Sequence, residues 1–63
     1  MKIKKGETYG EFVKRVRLGA KLTQIEMALR MGVNPSTLSR WENGAEIPHF
    51  SQRRIDEFAK TIK

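Results

Sequence analysis

The chain contains no cysteine and a single histidine, His49. The first absence excludes disulfide frameworks and thiolate metal sites. The second leaves a zinc ion only one imidazole and some carboxylates, a poor donor set. Few residues remain for a Ser-His-Asp or Cys-His triad, and no spacing suggests one. Apolar runs never exceed three residues, so no stretch can span a bilayer, and no signal peptide is expected. The lack of cysteine fits a cytoplasmic, reducing setting. Sixty-three residues make one small domain with a minimal core. No enclosed catalytic cavity, cofactor, metal or small-molecule ligand is expected, and an enzyme is not.

Acidic residues are also scarce. Seven Asp and Glu stand against 13 Lys and Arg, a net charge of +6. Such an excess suits a polyanionic partner, nucleic acid first, although a generically basic surface gives the same count.

There is no internal repeat and no low-complexity tract. Residues 1–7 (MKIKKGE) carry three lysines and little apolar content. They read as a basic N-terminal arm or a short extended segment, with a brief strand over 2–4 as the only candidate for β structure. The domain proper then covers 8–63. Thr8 followed three residues later by Glu11 is a capping box. Tyr9, Phe12, Val13, Val16 and Ala20 follow at helical spacing, with Leu18 less regular, and predict a helix over 8–20. Gly10 weakens its first turn by roughly 1 kcal/mol relative to alanine. Thr23 and Glu26 form a second capping box, and Gly32 supplies a stop, which gives a helix over about 23–31. Asn34 can cap a third helix. Pro35 at its first position loses only an N–H that would be unpaired anyway. Leu38 and Trp41 form its apolar face and Gly44 ends it, so it covers about 35–43. After a connector holding Glu46 and Pro48, Ile55, Phe58, Ala59 and Ile62 predict a fourth helix over 51–62, opened by Arg53 and Arg54. The fold class is therefore all-α: a small domain of four helices, or of five with the last one cut short.

The second and third helices make one unit. Gln24, Ala28, Gly32, Val33, Leu38 and Trp41 lie at offsets 0, 4, 8, 9, 14 and 17. Ala28 is small where the third helix crosses it. Gly32 allows a left-handed turn, and Val33 fills the space beneath. Leu38 and Trp41 anchor the third helix from behind. This is a helix-turn-helix pattern.

The segment TQIEMALRMGVNPSTLSRWENG, with Pro48 after it, resembles the DNA-binding domain of the phage Cro and C1 repressors and the wider xenobiotic-response-element family. The likeness extends over 8–62 and is tightest over 22–44. It implies a lambda-repressor-like fold and a bacterial or phage-encoded cytoplasmic regulator, associated with the nucleoid when bound. Its partner would be double-stranded DNA, contacted as a homodimer on a pseudo-palindromic operator.

Carried over residue by residue, the resemblance implies that Pro35, Ser36, Ser39 and Arg40 face the bases, with Arg40 the strongest candidate reader of guanine. Gln24, Asn34 and Asn43 match backbone-contacting positions, with Thr37 on the flank. Thr23, Lys4 and Lys5 are further backbone candidates, although Thr23 reads first as a cap. Arg17 and Glu42 match a structural salt bridge between the first helix and the end of the third. Trp41 reads as core rather than as a base-stacking aromatic.

Three features depart from the family pattern. Ser36 stands where relatives often carry glutamine. Glu46 stands where many place a basic residue. No clear fifth helix follows, and the fourth starts later than usual. Two other readings accompany that of a repressor. One is an antitoxin-type autorepressor; the other is a protein-interaction module, such as an antirepressor, built on the same fold.

Overall fold

Residues 1–62 are described by the computed structural model. The Glu11 N–H donates to Thr8 Oγ1 at 3.1 Å, and the Thr8 N–H donates to the Glu11 carboxylate at 2.9 Å. This closed box starts α1, Tyr9–Gly19. Thr23 and Glu26 repeat the exchange at 3.1 and 2.8 Å and start α2, Gln24–Met31. Asn34 caps α3, Pro35–Glu42, with Pro35 at its first position. The last helix, α4, runs His49–Lys60. The described residues thus hold four helices and no strand, including over 2–4.

Gly32 takes the left-handed conformation, φ 70°, that the turn between α2 and α3 requires. The Val33 N–H then reaches back to Ala28 O at 3.0 Å and closes the turn. The exit from α1 uses a different residue: Lys21, not Gly19, has the positive φ of 59°.

The core lies where α1, α2 and α3 cross, with α4 laid over it. Phe12, Val13 and Val16 come from α1, Met27, Ala28 and Met31 from α2, Leu38 and Trp41 from α3, and Ile55 and Ala59 from α4. Ile47, in the connector, is buried with them. Nothing in its local pattern announces this, because an isolated apolar residue in a loop has no periodicity.

Gly10 is buried in the same crossing, and a Cβ there would collide with the Trp41 carbonyl oxygen. The propensity lost at this position allows α1 to approach the end of α3 closely.

The fourth helix begins at His49, two residues before the sequence-based start at 51. Pro48, extended at φ −58° and ψ 150°, occupies the cap position, and its carbonyl accepts from the Gln52 N–H at 2.9 Å. The Gln52 side chain also donates to Ile47 O at 3.1 Å and fixes the entry. Two expectations change as a result. The helix does not start late, and Arg53 and Arg54 lie near its middle rather than in its first turn. They therefore meet no helix-dipole penalty that would call for a phosphate.

Residues 1–7 are drawn onto the helices. The Met1 ammonium donates to Ala59 O at 2.7 Å and to Ile62 O at 2.9 Å, at the end of α4. Arg15 holds Glu7 through Nε and Nη2 at 2.8 and 2.9 Å and donates to Lys2 O at 2.7 Å. The Arg15 guanidinium beside Glu7 pulls its carboxyl down to about 2. Tyr9 donates to the Asp56 carboxylate at 3.1 Å, and burial together with that carboxylate pushes its phenol up.

Candidate nucleic-acid interface

Leu38 and Trp41 are buried, so the opposite side of α3 must face outward. Helical spacing puts Ser36, Arg40 and Asn43 on that outward line, and all three are exposed. Pro35 is exposed at the leading end, while Thr37 and Ser39 sit half-buried on the flanks. Of the four residues assigned to base contact, Pro35, Ser36 and Arg40 are thus exposed on α3, and Ser39 lies half-buried on its flank.

Their polar groups are organised locally. The Arg40 guanidinium leans back toward Thr37 Oγ1, 3.4 Å away. The Asn43 side-chain amide donates to Ser39 O at 2.9 Å. Asn34 Oδ1 accepts from both the backbone N–H and the hydroxyl of Ser36, at 2.9 and 2.7 Å.

The angle of α3 is set from its far end. Glu42 has a side chain only 4% exposed and takes Arg17 Nε at 2.8 Å and Arg17 Nη2 at 3.1 Å. Arg17 also donates to Leu22 O at 3.1 Å. A third donor on Glu42 is Gln24 Nε2, at 3.2 Å. The carboxylate is therefore spent inward, where it neither stands unpaired nor repels an approaching polyanion. The family resemblance placed Gln24 at the DNA backbone. Its membership of this network was missed, because offset arithmetic along the chain does not show which side chain reaches across to α3.

The N-terminus of α2 abuts this network. Thr23 and Glu26 satisfy each other there, and the hydrogen bonds from Thr23 lower the Glu26 carboxyl below its usual range. That end of α2 thus carries a fixed negative charge beside its free amides, which weakens its pull on a phosphate.

Lys4 and Lys5 are exposed, but the side-chain contacts of their segment run to Arg15 of α1 and to the end of α4. Glu46 is exposed in the connector. Among the described residues no group of three or more His, Asp or Glu side chains could hold a metal ion, and no helix is long and apolar enough to cross a membrane.

The model of the helix-turn-helix family matches residues 13–63, most of the chain, including α2, the Gly32 turn and α3. The chain belongs to the Cro/C1-type helix-turn-helix family. Among curated proteins and solved structures, none matches it. Membership of this family makes the protein a DNA-binding transcription regulator by class.

Proposed function

We propose that this helix-turn-helix protein is a repressor that binds a pseudo-palindromic operator in the cytoplasm. Two copies place α3 in successive major grooves, about 34 Å apart, and exclude polymerase. The observation that carries this reading is the exposed line of Ser36, Arg40 and Asn43 on a helix held from behind by Leu38 and Trp41 and pinned in angle by Glu42. A helix presented in this way fits a major groove about 12 Å wide.

Within that reading, Pro35, Ser36, Ser39 and Arg40 address base edges. The guanidinium of Arg40 swings from Thr37 to guanine O6 and N7, a bidentate contact. Pro35 offers apolar contact to a thymine methyl. Gln24, Asn34, Thr37 and Asn43 lie along the backbone on either side, with Thr23, Lys4 and Lys5 as outer contacts. The net charge of +6 supplies the salt-dependent, sequence-independent part of the affinity.

Selection of bound DNA from random duplexes tests this directly. A two-fold-symmetric consensus supports both the operator and the paired arrangement. Absence of any salt-sensitive DNA binding would overturn the proposal in favour of a protein-interaction module.

A further inference from the structure

We propose that Ser36 reads the major groove as a hydrogen-bond acceptor only, and so selects an amino base, adenine or cytosine, over a keto base on the strand it faces. The inference rests on the reading of α3 as the base-contacting helix and adds a specificity rule to it.

The Ser36 backbone N–H can only donate, and its partner on Asn34 lies 2.9 Å away. That partner must be the amide oxygen, Oδ1, since the amide nitrogen carries only donors. The same Oδ1 lies 2.7 Å from Ser36 Oγ. An oxygen already fixed as acceptor can meet a hydroxyl only by taking its proton. Ser36 has one such proton, and it is committed to Asn34; two lone pairs remain. Pro35, between the two residues, has no N–H to compete for Oδ1. The cap of α3 therefore also sets the polarity of a side chain on its outer face.

A free serine hydroxyl serves donors and acceptors alike and distinguishes bases poorly. In the major groove adenine offers N6–H and cytosine N4–H as donors, whereas guanine and thymine offer acceptor oxygens. Lone pairs on Ser36 meet the first pair without rearrangement. To donate to guanine O6 or thymine O4, Ser36 must give up its 2.7 Å bond to Asn34. Asn34 is thus a positioning residue for specificity as well as a cap, and Ser36 replaces the ambiguity of a hydroxyl with a two-letter preference.

The test is selection from random duplexes by the full chain and three variants, each checked for folding by circular dichroism. Ser36→Ala identifies the position that Ser36 reads. At that position the wild type should enrich adenine and cytosine over guanine and thymine by about three- to ten-fold, the worth of one hydrogen bond. Asn34→Gly, a tolerated cap, frees the hydroxyl proton and should reduce the preference below about two-fold. Asn34→Asp keeps an oxygen that accepts both bonds and should retain the preference while lowering affinity for all DNA. If the wild type yields no consensus, the DNA-reading proposal itself fails. If a consensus appears but Ser36→Ala alters no position, or the altered position prefers a keto base, only the Ser36 rule falls. An amino preference surviving in Asn34→Gly would remove Asn34 from the mechanism.

Discussion

Gln24 Nε2 lies 3.2 Å from Glu42 Oε1, so the first residue of α2 and the last of α3 share one carboxylate with Arg17 of α1. Three helices are coupled through a single buried anion. The pitch of α3 thus depends on a charge pair as well as on apolar packing.

Removing the cation from this group should be costly. Arg17→Met leaves Glu42 buried with only Gln24 for support, and a loss of about 3–5 kcal/mol is expected. Chemical denaturation measures it. The double variant Arg17→Met/Glu42→Leu should recover most of the loss, because no unpaired charge then remains. A single variant within about 1 kcal/mol of the wild type would show that the pair contributes no more than an exposed one.

Gly10→Ala and Gly19→Ala should diverge, although both lie in α1 and both gain helix propensity. At Gly10 the new methyl meets backbone, the Trp41 carbonyl, which cannot move without shifting α3. A net loss of about 1–3 kcal/mol is expected there, together with weaker DNA binding. At Gly19 the methyl meets the flexible end of Met1, and a change within about 0.5 kcal/mol is expected. Thermal melts of the two variants side by side decide the matter.

Arg40→Ala should reduce affinity for the selected operator by about 5- to 150-fold, the worth of one bidentate base contact, and leave non-specific binding nearly intact. Fluorescence anisotropy against operator and scrambled duplexes separates the two. Equal losses on both would reassign Arg40 to a phosphate.

The Glu7–Arg15 pair predicts a pH dependence. The folded carboxyl lies at about 2, below its ordinary 4.5. The unfolded state therefore binds the proton more readily, and acid favours unfolding. The contribution of this pair is complete above the ordinary value and is lost as pH falls from there toward 2. Glu7→Gln should flatten that part of the stability curve and leave the region above pH 6 with the same slope. Thermal melts between pH 2 and 7 provide the check, and an unchanged acid slope would mean that other carboxylates govern it.

Much of the architecture was legible in the chain itself. Both capping boxes, the Asn34-Pro35 start and the Gly32 stop are local devices, completed within four residues, and short-range chemistry alone specifies them. The inward facing of Leu38 and Trp41, and with it the outward line of Ser36 and Arg40, follows from helical period. The Arg17–Glu42 pair came from family likeness rather than from spacing. Periodicity misplaced the start of α4, because His49 is polar and Phe50 is exposed off the apolar stripe, and the signal that begins the helix is the backbone of Pro48.

The sequence by itself determined that there are four helices, the side-chain caps of the first three and which side of each helix is buried, since these depend on neighbours a few bonds away. Tertiary structure alone decided that Gln24 serves Glu42, that Ile47 joins the core, that Gly10 is the contact point of α1 with α3, and that residues 1–7 lie on α1 and α4. Each of these links residues far apart in the chain, and only the packing of the helices brings their atoms within a few ångströms of one another.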